Sequence, residues 1–311
     1  MLATPLLGGV RTPLLAAATQ SPALALSSSR VLFRASSRAG CLRLSAGAPV
    51  PSSGPLTVGR VVTWASWAVY LAIVLFSEGG LAPGNSALHT EPETIKEALD
   101  LSLNFWLVLP ALAPSLAPVV DPALEGLFNV LICWALCFWG FTVDERDNAY
   151  PGTMLPYLVG ALFLTNVFFL PMLALRTPRA AEPASAAIGA SELTTVQRVT
   201  ESRAFALVSG VVVPLVAIWW GCEARPEMVA PGLAERWEAL VSLVSTDRLA
   251  FSFAADMAVF ALFQGVLVSA DAARRGVDQS AASVIAAKCL PFVGLVAWLL
   301  SRPSLGKAEE A

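Results

Sequence analysis

Residues 249–270, LAFSFAADMAVFALFQGVLVSA, decide the fold. At about 1.5 Å per residue this stretch makes a helix of roughly 33 Å, enough to cross a hydrocarbon core of about 30 Å. Apolar runs of the same kind recur at 61–76, 99–120, 124–143, 155–175, 205–222 and 281–300. Composition agrees, with 56% hydrophobic and 14% charged residues, where a soluble domain carries about a quarter charged. The expected fold is therefore all-α, a polytopic transmembrane helix bundle of about six to seven spans. The 61–76 run is marginal in length for a span.

The front of the chain reads differently. Residues 1–77 contain no Asp or Glu, while Arg11, Arg30, Arg34, Arg38, Arg43 and Arg60 lie among Ala, Ser, Thr, Pro and Leu. That is the composition of an organellar transit peptide, and the dispersed apolar residues, interrupted by Pro5, Pro13 and Pro22, do not form the single core of a secretory signal. The Ser/Arg/Ala mixture running into Pro, Ser and Gly favours a plastid. The expected organisation is a leader at 1–55, a membrane domain at 56–303 and a tail at 304–311. Removal of the leader takes five arginines away and moves the net charge from −3 to −8, which argues against nucleic acid as a partner.

Between the runs, local signals place the boundaries. Pro110, Pro114 and Pro118 each remove a backbone donor, so the 99–120 segment is expected to break near Leu109 and to bend inside the membrane. Asp121-Pro122 has the form of an N-cap followed by proline at the first helical position. Thr194 and Gln197 have capping-box spacing, and 177–190 reads as a linker rich in Pro, Ala and Ser. From Gly232, the apolar positions Leu233, Trp237, Leu240, Val241 and Val244 share one helical face, an amphipathic helix lying in the interface. Lys and Arg divide seven against seven over the two sides of a seven-span chain, so no orientation follows. No internal repeat is evident.

The candidate site is the set of polar residues at membrane depth: Asn104, Glu125, Asn129, Asn166, Asp256, Gln264 and Lys288. An ionisable group there costs a few kcal/mol on insertion scales and needs a partner or a cavity. Asp256 lies about 10 Å into its span and Lys288 about 12 Å in from the other side, so the two are expected to pair, the alternative being that each snorkels outward. Glu125 lies in the first turn after Asp121, where the helix dipole favours an acid. Asn104, Asn166 and Gln264 are the residue types that hold membrane helices together by hydrogen bonds. Cys133 and Cys137 share a face, yet the one histidine, His89, is in a loop, so they read as small hydrophobes and no metal ligand set emerges. A retinal site at Lys288 would lack its carboxylates in the 124–143 run. No cofactor is specified, and phosphate loops, zinc-protease helices and nucleophile elbows are absent from the sequence.

The segments 102–129 (SLNFWLVLPALAPSLAPVVDPALEGLFN), 152–176 (GTMLPYLVGALFLTNVFFLPMLALR), 256–268 (DMAVFALFQGVLV) and 288–303 (KCLPFVGLVAWLLSRP) together resemble an uncharacterised multi-span membrane protein family of cyanobacteria and of plant and algal plastids. The resemblance implies a plastid membrane, thylakoid or inner envelope, and removal of the N-terminus. It carries over no activity and no site residues. The leading expectation is a non-catalytic scaffold, assembly factor or auxiliary subunit, with the lipid bilayer and photosynthetic membrane complexes as partners. Against it stands a small-solute or ion transporter using Asn104, Asn166, Asp256, Gln264 and Lys288, and third a membrane enzyme acting on lipid or isoprenoid. Convergence of those five side chains on one cavity favours transport; dispersal onto separate helix contacts favours the scaffold.

Overall fold

The computed structural model describes residues 58–143, 148–149, 154–178 and 193–305. The expected leader, most of the linker and most of the tail lie outside the described residues. The helices are α1 (Val58–Phe76), α2 (Pro92–Leu103), α3 (Val108–Leu112), α4 (Pro122–Thr142), α5 (Leu155–Leu175), α6 (Thr195–Glu201), α7 (Arg203–Glu223), α8 (Leu233–Thr246), α9 (Arg248–Arg274), α10 (Ala282–Cys289) and α11 (Val293–Ser301). Of these, α1, α4, α5, α7 and α9 are long and apolar enough to cross a membrane. The chain is thus a helical membrane protein, with five such helices among the described residues against the six to seven spans expected.

Three caps form as their residue types dictate. Asp121 accepts from the Ala123 and Leu124 N–H groups, Asp247 accepts from Ala250, and Thr194 with Gln197 closes a full capping box. The proline expectation needs correction. The 99–120 run does break, but at Asn104–Leu107, where Trp106 and Leu107 adopt φ of 56° and 57°, ahead of all three prolines. Pro110 is instead the third residue of the short α3, where its missing donor would have had no intrahelical partner.

Contacts between helix ends define two faces of the bundle. On the first face, Arg248 at the start of α9 donates to the carbonyls of Ile73, Val74, Ser77 and Gly84 around the end of α1. There too, Arg225 after α7 meets Glu125 at the start of α4, and α8 connects the two contacts. On the second face, Arg302 bonds Gly140 near the end of α4, Glu201 at the end of α6 and Asp271 near the end of α9. Helices α4 and α7 approach closely, because a side chain at Gly126 would sit 2.8 Å from the Ala217 carbonyl oxygen.

Two apolar segments double back. In α5 the backbone leaves helical geometry at Leu164 (φ −127°, ψ 39°) and Thr165 (φ 18°, ψ −103°). A Cβ built on Gly160 would lie 2.5 Å from the Phe168 ring, whereas residues eight apart in an unbroken helix are about 12 Å apart. The two halves of α5 therefore lie side by side, and Asn148–Ala149 before it pairs antiparallel with Thr177–Pro178 after it. Likewise, α10 descends until Leu290 meets Gln264, ten residues or about 15 Å below Arg274, and α11 returns to place Arg302 beside Asp271. A Cβ at Gly294 would clash with Ala286 and Ala287, so α10 and α11 are in close contact. The core lies where these parts meet, with Phe138, Phe169 and Phe260 packed at centroid distances of 4.9–5.3 Å.

The order of elements repeats, although the sequence shows no repeat. Each half has a helix from the second face to the first containing a π-helical turn (α1 with Leu71–Phe76, α7 with Val208–Val212). A first-face helix follows (α2, α8), then an Asp-capped helix back (α4, α9) and a doubled-back segment (α5, α10 with α11). Both halves run in the same sense, a parallel repeat.

Doubling back also changes the charge count. Among the described residues Arg60, Arg176, Arg198, Arg203, Arg274, Arg275, Lys288 and Arg302 belong to the second face, and Lys96, Arg225, Arg236 and Arg248 to the first. Eight against four marks the second face as the side on which positive charge is retained during insertion. In a chain with its native cysteines replaced, cysteines introduced by Ser280→Cys and Ser301→Cys are expected to react with a membrane-impermeant maleimide from this same side. Labelling from opposite sides would restore a full crossing for 281–300.

Candidate functional site

The seven polar candidates do not converge; six of them fall at three breaks in the helices. Inside an apolar medium every freed backbone group needs a protein partner. At the first break, between α2 and α3, Asn129 Oδ1 accepts the Trp106 N–H at 2.5 Å and its Nδ2 donates to the Glu125 carbonyl at 2.9 Å. Glu125, fully buried, accepts from Asn104 Nδ2, from Trp220 Nε1 at 2.7 Å and from Arg225 Nε at 3.3 Å. Asn104 and Arg225 both donate to the Pro118 carbonyl, at 3.0 and 3.1 Å. Asp121 caps α4 and Glu125 stands in its first turn, where it also forms a buried ion pair with Arg225.

At the third break, between α10 and α11, Gln264 of α9 does the same work with one side chain. Its Nε2 donates to the carbonyls of Ala287 (2.7 Å) and Leu290 (3.0 Å), and its Oε1 accepts the Phe292 N–H at 3.0 Å. Phe292 at the tip has φ 57° and ψ −61°, outside helical geometry.

The second break, in α5, differs: Trp67 Nε1 donates to the Val167 carbonyl at 3.1 Å, and the side chain facing the break from α9 is a carboxylate. Asn166 Nδ2 donates to Asp256 Oδ1 at 2.7 Å and to the Asp256 carbonyl at 3.2 Å. Thr165 of α5 and Tyr70 of α1 line the same cavity wall as Asp256. All of these neighbours are neutral. Asn166 Oδ1 is buried with no hydrogen-bond partner. A cavity of about 550 Å³ reaches Asp256 from the first face, bounded by Tyr70 and Val74 of α1, Thr94 and Ser102 of α2, Thr165 of α5 and Arg248 of α9. Arg248 stands eight residues, about 12 Å, above Asp256.

The expected Asp256–Lys288 pair is not formed. Lys288 lies level with Gly265, nine residues or about 13 Å along α9 from Asp256, and its Nζ donates to Gln279 at 2.8 Å. It snorkels to the second face, as a long amine on a half-depth helix can. Cys133 and Cys137 are buried, Cys137 Sγ lying 3.8 Å from Ser209 Oγ, and behave as small core residues.

Sequence reading missed a buried ion quartet on the second face. Asp271 accepts from Arg275 Nε (2.9 Å), Arg302 Nη1 (3.3 Å) and Trp298 Nε1 (2.8 Å). Glu201 accepts from Arg275 Nη2 and Arg302 Nη2, both at 2.8 Å. Its residues looked like flanking charges on opposite sides, because a straight 281–300 helix would separate Arg302 from Arg275. Doubling back brings them together. Outside the spans, the Ser86 hydroxyl and His89 hold Glu78 below the usual carboxylate range. On α2, burial and then Asp247, Asp121 and Asp100 push Glu97 up, which marks the first face beside the cavity as electronegative.

Gln264→Leu leaves three tip groups of α10 and α11 unsatisfied, at about 1–3 kcal/mol per group, and Asp271→Ala breaks a buried ion cluster at about 3–5 kcal/mol, so both are expected to destabilise strongly. Lys288→Met, on the surface, should stay within about 0.5 kcal/mol. Tryptophan-fluorescence melts of the purified protein in detergent check the ranking. Comparison with family models, with curated proteins and with solved structures gives no match.

Proposed function

We propose that the chain is a small-solute or ion transporter of a plastid membrane, working through Asp256 and its partners Asn166, Thr165 and Tyr70. One observation carries this: a buried carboxylate about 12 Å in from the first face, among neutral neighbours, sits beside a broken helix at the foot of a cavity. Discontinuous helices with a polar site near the midplane, within repeated halves, are the arrangement that carriers use, since freed backbone and a buried charge both call for a ligand. The plastid, thylakoid or inner envelope, is supported by the acid-free, arginine-containing N-terminal composition and by the resemblance of 102–129, 152–176, 256–268 and 288–303.

A second reading, the scaffold or auxiliary subunit near photosynthetic complexes, has its own observation in its favour. Asn104, Gln264 and Lys288 disperse away from the Asp256 cavity, and Asn104 and Gln264 serve internal contacts. In liposomes reconstituted with the purified chain, a flux of small ions or metabolites is expected, with Asp256→Asn remaining folded and losing it. Absence of flux, together with stable recovery of photosynthetic subunits in affinity purification from native membranes, would instead establish the second reading.

A further inference from the structure

We propose that Asp256, Asn166 and Thr165 form a site for one monovalent metal cation of the sodium class, entered through the cavity from the first face. The proposal names a substrate class for the site above and rests on that transport reading for its purpose, while binding itself can be measured without flux.

Two independent observations converge on a cation. The Asp256 side chain is 3% exposed and its hydrogen-bond donor, Asn166, is neutral, so as a carboxylate it needs a compensating charge in an apolar interior. One amide width from it, Asn166 Oδ1 is buried without a donor, because the Nδ2 of the same side chain is the group that binds Asp256. A proton on Asp256 would cancel the charge and leave that acceptor still empty. A metal ion answers both needs. The available atoms are carboxylate, amide and hydroxyl oxygens, which suit a hard cation, and α5 is broken at Leu164–Thr165 beside them.

Charge selects the valence. One carboxylate balances one positive charge, whereas calcium sites gather several carboxylates, and magnesium keeps several waters with one or two carboxylates plus phosphate. The route to the site has a matching sign. Glu91 and Asp247 line the cavity near the first face, and Arg248 is engaged by the carbonyls at the end of α1. An acidic entrance raises the local concentration of small cations.

The test uses the purified full-length chain in detergent. Its thermal midpoint is titrated with sodium chloride against choline chloride at constant ionic strength, alongside equilibrium binding of radioactive sodium. The wild type should show a saturable, sodium-specific rise in midpoint, as expected when a ligand binds only the folded state. Asp256→Asn should stay monodisperse and lose both the rise and the bound sodium. Thr165→Val should weaken sodium binding by about 10- to 100-fold, and serves in place of Asp256→Asn if that variant does not fold. Equal responses to sodium and choline, an unchanged sodium response in Asp256→Asn, or a midpoint that follows pH and ignores sodium would each overturn the site. Sodium binding without liposome flux would uphold the site and remove the transport reading, while flux without a sodium response would do the reverse.

Discussion

A backbone that breaks inside an apolar medium must find its hydrogen-bond partners in the protein itself, and this requirement organises the whole bundle. Asn129 and Gln264 bond freed backbone at two breaks; at the break in α5, Trp67 Nε1 reaches the Val167 carbonyl and Asn166 ties the break to Asp256. Long helix α9 supplies partners at two of them, eight residues apart, and α4 supplies the other. Those two helices also carry Phe138 and Phe260 of the aromatic centre, so the elements that seal the breaks are the ones most firmly packed.

Seen this way, most of the buried polarity is structural and one part of it is not. Neutral amides suffice to seal a broken helix, as Gln264 demonstrates with three hydrogen bonds. Glu125 is charged but is met by Arg225, and Asp271 by Arg275 and Arg302. Asp256 exceeds what its break requires. The repeat makes the same point: counted from the capping residues Asp121 and Asp247, the ninth position is Val130 in the first half and Asp256 in the second. The two halves share an order of elements while differing at the position of the proposed cation site.

Much of this was legible in the residues. Length and apolarity revealed the long helices, and Asp121-Pro122 and Thr194 with Gln197 revealed their starts, because both signals are local. The seven buried polar residues were also legible, since polarity at membrane depth stands out against its surroundings. Their partners were not. Whether an apolar run of about 20 residues crosses or doubles back depends on two or three backbone angles, at Leu164, Thr165 and Phe292, that hydropathy does not register. That ambiguity misplaced Lys288 opposite Asp256, hid the meeting of Arg302 with Asp271 and balanced a charge distribution that is in fact uneven. The repeat stayed hidden for a related reason: element order survives when side chains diverge, and here it is carried partly by a doubled-back segment that reads as a span.

The halting of α5 at half depth has an electrical corollary. Below the tip, only the length of one folded-back helix separates Asp256 from the opposite compartment, about half of the hydrocarbon thickness. In the proposed pathway, water in the cavity would carry the potential of its own compartment down to the carboxylate, and the transmembrane voltage would fall mainly across the α5 hairpin. At about 2.3 kcal/mol per elementary charge for every 100 mV, a cation arriving at Asp256 would feel little of that field, and one leaving through the hairpin would feel nearly all of it.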